Sequence, residues 1–376
     1  MRKVLFLIDS LTCGGAEKSL ISLLPLLDYS KVQIDLMLVE RGGVFEQYVP
    51  KEVNVVTLVQ PGTFGLKMCQ LCFSILLRIL KKRHGAEVRW MAMSGAYAPL
   101  EKEYDVAIAY QQGFPTYYVA KRVNARKKYA WVNADLKKAG YNEPYNRSFY
   151  DLYDKVVPVS DVLCEMMRNS GFVDGDKLLT IYDILNVDLI RKMSIEKVDV
   201  LTKQGITIVT TGRLAPPKNH VLAVETAALL KKKGGDFVWY FVGEGSERAH
   251  IEELIETYAL QEQVKLVGMK SNPYPYMAMA DVYVQTSSFE GFGLTLNEAR
   301  ILHRPVVSTN FPVVYNQIRD GENGLIAEMT PESVAEKIMR ILKDDSLREK
   351  LVEGTKREVN TTAETEPQKV MELLLS

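Results

Sequence analysis

Short apolar and β-branched runs alternate along the chain with longer segments whose apolar positions recur at helical spacing. That alternation is the pattern of parallel α/β layers. In the first half the runs predict strands near 3–9, 33–39, 53–58, 104–110, 129–134 and 154–159. In the second half they predict strands near 206–211, 237–242, 264–267, 281–285 and 305–308. Helices are expected between them, among others over 16–27, 219–232, 247–259 and 331–343. Both halves read as doubly wound, with the change-over in the charged, strandless stretch 191–204. Two such halves facing each other would leave a cleft between them.

Length agrees with this division, because 376 residues exceed the usual ceiling for a single core. Lys plus Arg and Asp plus Glu both number 47, so no global field recruits nucleic acid, and none is expected as a partner. The opening Met1-Arg2-Lys3 and the apolar run after it look superficially like a signal peptide, but Asp9 cuts the run too early. A buried first strand is the better reading. No uninterrupted stretch reaches the ~20 apolar residues of a bilayer span, so a cytoplasmic location is expected. Cys13, Cys69, Cys72 and Cys164 are too few and too scattered for a disulfide framework. Cys69 and Cys72 form a C-x-x-C inside an apolar run, which reads as packing rather than chemistry.

Candidate chemistry gathers at strand ends. The first strand runs into Asp9-Ser10-Leu11-Thr12-Cys13-Gly14-Gly15-Ala16-Glu17, where paired glycines let backbone N–H groups approach an anion at a helix start. A tight strand-to-helix turn explains the same residues. In the second half, a strand ends in Thr211-Gly212-Arg213-Leu214-Ala215-Pro216-Pro217-Lys218. Two cations five residues apart at such an end can converge on a diphosphate, Arg as a fork and Lys as a point charge. In isolation the pair reads better as a solvated loop with two unrelated charges.

Tyr240-Phe241-Val242-Gly243-Glu244-Gly245 repeats the strand-then-glycine pattern, and the strand before Met269 and Lys270 leaves a loop free to meet a base. The strand 281–285 leads into Glu290-Gly291-Phe292-Gly293-Leu294-Thr295-Leu296-Asn297-Glu298. Thr295 and Leu296 are expected to offer first-turn N–H groups to a phosphate. A loop Glu290 and a helix Glu298 can grip two parts of one polyol. Asp174-Gly175-Asp176 spells a metal-binding D-x-D, but its glycine-rich surroundings read as a surface turn, and no metal is expected.

R-x₄-K, the V-G-E-G turn and E-G-F-G-L-x₃-E, each after a strand and in this order, strongly resemble the family 4 glycosyltransferases. The resemblance runs from Gly14-Gly15 to about residue 355 and implies the GT-B architecture, two Rossmann-like domains facing across a cleft. It implies an N-terminal acceptor-side domain over 1–195, a donor domain over 196–355, and a tail helix over 356–376 packing back on the first domain. It further implies retaining transfer of a hexose or N-acetylhexosamine from a UDP-sugar, with no cofactor. Arg213 and Lys218 would stabilise the departing diphosphate, Glu290 would face the donor sugar beside Gly291, Phe292, Gly293 and Leu294, and Glu298 would hold the ribose. Thr295 and Leu296 would complete the phosphate site, Met269 and Lys270 would lie at the base, and Gly14 and Gly15 would close from the other domain.

Two departures from the family touch the acceptor side. Asn133, in Trp131-Val132-Asn133-Ala134-Asp135, stands where many members carry His, with Asp135 two residues on; Asn cannot titrate. Asp183 stands where the family usually has Asn. The segment 64–83, apolar but interrupted by Lys67, Gln70 and Arg78 and ending in Lys81-Lys82-Arg83, reads as an interfacial helix at a membrane or as a core helix with a solvated end. The resemblance makes a saccharide acceptor linked to polyprenyl diphosphate the expected partner, met at the inner face of the cell membrane in capsule, exopolysaccharide or other cell-surface polysaccharide synthesis. A UDP-sugar epimerase and a nucleotide-sugar-binding subunit are the competing readings.

Overall fold

The computed structural model describes residues 1–12, 14–59, 71–73, 75–76, 83–197, 205–357 and 362–376. The chain forms two compact units, Met1–Ile184 with Thr362–Ser376, and Leu185–Thr361.

The first unit is built on a parallel sheet of six strands, in the order β3-β2-β1-β4-β5-β6. They are β1 (Arg2–Ile8), β2 (Val32–Leu38), β3 (Asn54–Thr57), β4 (Tyr104–Ala109), β5 (Ala125–Val132) and β6 (Lys155–Pro158). Val4, Leu5, Phe6, Leu7 and Ile8 are all fully buried. An unbroken apolar run of this kind marks a strand covered on both faces.

The second unit repeats the plan, with the order β12-β11-β10-β7-β8-β9. Its strands are β7 (Ile206–Thr211), β8 (Phe237–Val242), β9 (Val264–Gly268), β10 (Val282–Gln285), β11 (Val306–Thr309) and β12 (Leu325–Ala327). β12, only three residues long, has no counterpart in the sequence pattern. Trp239 lies in the core, and its indole N–H donates to Thr210 Oγ1 at 3.0 Å.

In each unit the chain first winds outward on one side of a central strand and then returns to its other side. The point of reversal lies between β1 and β4 in the first unit and between β7 and β10 in the second. Crevices at the carboxyl ends of such strand pairs are where open α/β sheets bind ligands.

The boundary between units differs from the one drawn at residue 195. The helix Val187–Ser194 packs within the second unit, burying Ile190 and Met193. Asn272 Nδ2 donates to Met193 O at 2.8 Å, and the Arg191 guanidinium meets His303 Nε2 at 3.2 Å. The terminal helix Thr362–Leu375 belongs to the first unit, where Arg2 Nη2 donates to Leu375 O at 3.1 Å.

Asp174 and Asp176 lie exposed at a 3-10 turn, Gly175–Lys177. Cys164 is buried but Cys72 is exposed, so packing does not account for Cys72. Cys13, Cys69 and most of the segment 64–83 lie outside the described residues.

Candidate functional site

The loop after β7 is built against the loop after β8. Gly212 N–H donates to Val242 O and Leu214 N–H to Glu244 O, both at 3.0 Å, and Glu247 N–H returns to Leu214 O at 2.9 Å. A Cβ on Gly243 would stand 1.9 Å from Gly212 O, and one on Gly245 would stand 2.2 Å from Leu214 O. The glycines of the V-G-E-G turn therefore serve backbone contact, and that contact fixes the segment carrying Arg213. The Arg213 side chain is exposed at this strand end.

Lys218 closes a short 3-10 turn, Pro216–Lys218, and the chain then passes through Asn219 at φ 49°. Asn is among the few residues that tolerate this left-handed conformation. Lys218 Nζ donates to Glu290 Oε1 at 2.6 Å. The same oxygen accepts from Ser287 Oγ at 2.6 Å and from Gln285 Nε2 at 2.8 Å. Gln285 Oε1 in turn accepts from Thr295 Oγ1 at 3.1 Å. Three donors on one oxygen hold the Glu290 carboxylate still, and Oε2 can still accept from a hydroxyl. An ammonium carries three N–H donors, so Lys218 can serve Glu290 and an anion together.

Further bonds tie the two loops at the β7/β10 reversal. Ser288 N–H donates to Pro217 O at 2.8 Å, and Thr286 Oγ1 donates to Lys218 O at 3.2 Å. Gly291 and Phe292 follow, and Gly293, at φ 87°, turns the chain into the helix Leu294–Ile301. Gln317 Nε2 donates to Phe292 O and braces this turn. The first-turn N–H groups of Leu294 and Thr295 precede any i−4 carbonyl inside the helix.

Leu296 N–H donates to Gly293 O at 3.0 Å, and the N–H groups of Leu294 and Thr295 open the helix. Glu298 is fully buried, and Tyr274 OH donates to its Oε1 at 2.9 Å. Asp135 Oδ1 accepts from the N–H groups of Lys137 and Lys138 at 3.0 and 3.1 Å and caps a local turn.

Met269 is 62% exposed at the end of β9, an apolar side chain open to a base. Beside it, Lys270 Nζ lies 5.9 Å from the ring centroid of Tyr276. In the first unit, Gly14 caps the helix Gly15–Leu23, and a Cβ there would meet the Glu17 carboxylate at 2.0 Å. Asn133 Nδ2 donates to Tyr110 O at 3.3 Å and its N–H to Gln112 Oε1 at 3.0 Å. Asp183 is buried with Ser19 and Tyr110, whose hydroxyls are 3.1 Å apart. Burial pushes its carboxyl up to about 7, against a hydrogen bond from Ser19.

Gln285, Ser287 and Tyr274 were not singled out from sequence. Gln285 was legible as the one polar residue closing an apolar strand. Tyr274 carried no such signal, because its pairing with Glu298 spans two helices.

Residues 193–358 match the family model described as glycosyl transferases group 1. The chain is 27% identical over 357 residues to the N-acetylgalactosamine-N,N'-diacetylbacillosaminyl-diphospho-undecaprenol 4-alpha-N-acetylgalactosaminyltransferase of Campylobacter jejuni, covering 93% of this chain and 92% of that one. It is 31% identical over 151 residues to the alpha-D-kanosaminyltransferase of Streptomyces kanamyceticus, covering 39% of each. Among solved structures, Anabaena Alr3699/HepE in complex with UDP and glucose superposes with a TM-score of 0.73 at 20% identity over 100% of both chains. WaaG, a lipopolysaccharide glycosyltransferase, superposes with a TM-score of 0.63 at 14% identity over 99% of both. The two parallel sheets are those of the GT-B fold, and the chain is an enzyme that transfers sugar.

Proposed function

We propose that this glycosyltransferase takes a hexose or N-acetylhexosamine from a UDP-sugar and passes it, with retention of configuration, to a saccharide carried on a polyprenyl diphosphate. The observation that carries the donor half is the Lys218–Glu290–Gln285–Thr295 network at the β7/β10 reversal. It places a cation, a held carboxylate and a helix start together at one strand-end crevice. In this reading Arg213, Lys218 and the amides of Leu294 and Thr295 stabilise the diphosphate as the bond from the anomeric carbon to its oxygen breaks. The acceptor hydroxyl attacks from the face of departure, and its proton leaves with the diphosphate. Glu290 orients the donor sugar, and Met269 lies against the base.

The acceptor half draws on the Campylobacter relative, which is named for a diphospho-undecaprenol-linked saccharide, and the choice of UDP on the ligand of the Anabaena structure. Incubation with UDP-glucose, UDP-N-acetylglucosamine and UDP-N-acetylgalactosamine, each with and without a polyprenyl-diphosphate-linked disaccharide, tests the whole reading. Acceptor-dependent UDP release is expected, with an α-linked product by NMR. A changed sugar without acceptor would make the chain an epimerase. UDP-sugar binding without turnover, across acceptors, would make it a binding subunit.

The same reading places the chain at an anionic leaflet through Arg78, Lys81 and Lys82, since Arg83 is paired with the buried Glu87 at 3.5 Å. Each basic residue near such a surface contributes about 1 kcal/mol, enough together for reversible binding. Replacing these three by Gln is expected to reduce co-sedimentation with anionic liposomes severalfold at low salt, and high salt should act alike on the parent protein. Parent protein that stays in the supernatant at low salt would remove the leaflet contact.

A further inference from the structure

The hydrogen of the Thr295 hydroxyl is committed, and the chain of commitments starts at Glu290. Lys218 Nζ, Ser287 Oγ and Gln285 Nε2 meet Glu290 Oε1 at 2.6, 2.6 and 2.8 Å. A carboxylate only accepts, so the Gln285 amide is turned with its nitrogen toward Glu290. The same nitrogen lies 3.4 Å from Ser287 Oγ. Gln285 Oε1 is thereby left facing Thr295 Oγ1, 3.1 Å away. A carbonyl oxygen brings no hydrogen, so the single hydrogen of the threonine hydroxyl goes to it. Tyr283 OH also bonds the Thr295 side chain and, with a hydrogen of its own, fills an acceptor position there.

The three donors to Glu290 are anchored differently. Ser287 lies three residues away in the same loop and moves with Glu290. Lys218 reaches it on a flexible four-carbon stem. Gln285 closes β10, is buried, and is held at its other end by the first turn of the helix Leu294–Ile301. It is the donor that ties Glu290 to the sheet. Burying an amide costs free energy unless its polar atoms are paired, and here both are.

The same count of hydrogens decides what Thr295 does for a bound nucleotide sugar. A diphosphate brings only acceptors, which a hydroxyl with its one hydrogen committed does not serve. The Thr295 backbone N–H is a separate group, the one assigned to the phosphate above. Its side chain acts through Gln285 on Glu290.

We infer that Gln285 and the Thr295 hydroxyl are positioning residues for the transferred sugar, holding Glu290 so that its Oε2 meets a sugar hydroxyl, and take no part in binding the nucleotide. This assignment rests on the UDP-sugar reading above. It divides the helix start, with backbone amides serving the diphosphate and the side chain serving the carboxylate that orients the sugar.

Calorimetric titration of the full chain tests it, with UDP, UDP-glucose, UDP-galactose, UDP-N-acetylglucosamine and UDP-N-acetylgalactosamine as probes. The quantity read is the ratio of UDP-sugar affinity to UDP affinity, for the sugar that binds best. Gln285→Leu is expected to lower that ratio roughly 10-fold and Thr295→Val roughly 3- to 10-fold, with UDP affinity itself held within about twofold. Turnover should fall at least as far, since a sugar contact that strengthens in the transition state shows in kcat more than in binding. Thr295→Ser keeps the hydroxyl and is expected to recover most of the loss. On a Glu290→Gln background, Gln285→Leu should change the ratio by less than about twofold, because the carboxylate it positions is gone. A ratio unchanged in both variants would overturn the assignment. An equal loss of UDP and UDP-sugar affinity would overturn it too, because the two residues would then support the nucleotide or the fold. If Gln285→Leu does not fold, Thr295→Val carries the test. Parent protein that binds UDP but no UDP-sugar defeats the UDP-sugar reading and this assignment together. Variants that tell UDP-sugar from UDP as the parent does defeat this assignment alone.

Discussion

Lys218→Ala is expected to slow sugar transfer by roughly 100-fold, and by about 10-fold at the least, while the fold is kept. A charge-assisted hydrogen bond is worth about 1.5–3 kcal/mol, and the departing diphosphate concentrates charge where this ammonium stands. The structure adds a second path for the loss, because Lys218 is one of three donors that hold Glu290 Oε1. The two paths separate in a double-mutant cycle with Glu290→Gln. If Lys218 acts only through Glu290, its replacement costs little more once Glu290 is changed. If it acts on the diphosphate, UDP affinity falls in both backgrounds, and this is the expected result. Lys231→Ala, on an exposed helix end, is the matched control for loss of a cation. Turnover of Lys218→Ala equal to that of the control would remove the diphosphate assignment.

The largest expected change in stability comes from Asp183→Asn. Asp183 is 5% exposed, its Oδ1 has no hydrogen-bond partner, and burial pushes its carboxyl up to about 7. An unfolded Asp ionises near 3.9. Between pH ~4 and pH 7 the unfolded chain therefore releases a proton that the folded chain keeps, and stability falls as pH rises through that window. Above pH 7 both states are ionised and the penalty stays constant. Asparagine, the residue that the family resemblance places there, removes the charge without changing the shape. The variant is expected to be more stable than the parent by roughly 2–4 kcal/mol at pH 8 and about equal to it at pH 4. Urea denaturation at the two pH values measures the difference. A gap of the same size at both would show that ionisation of Asp183 plays no part.

The glycine turn that carries Glu290 was legible in the linear pattern, because its parts are local. A strand end, a glycine turn and a helix start lie within a few residues of one another, and each obeys rules of short range. Glu298 shows the limit of that legibility. Its full burial and its hydrogen bond from Tyr274 depend on how helices pack, which its place in a helix does not tell. Asp135 shows the same limit at shorter range. Its carboxylate accepts from amides two and three residues ahead. Such turn-capping depends on backbone angles that residue type does not dictate.

The hydrophobic pattern by itself determined eleven of the twelve strands among the described residues, the doubly wound class and the order of the glycine turns. These follow from side-chain period and turn chemistry, which act between near neighbours. Only the tertiary structure decided that the helix Val187–Ser194 packs in the second unit. That assignment rests on which apolar faces meet, a choice between contacts far apart in sequence. Strand order decided the rest. It brought Lys218 beside Glu290, a pair separated by 72 residues. Nothing in the spacing of those residues announces a partner, because a parallel sheet joins strands through long crossovers, and only the sheet fixes which ends become neighbours.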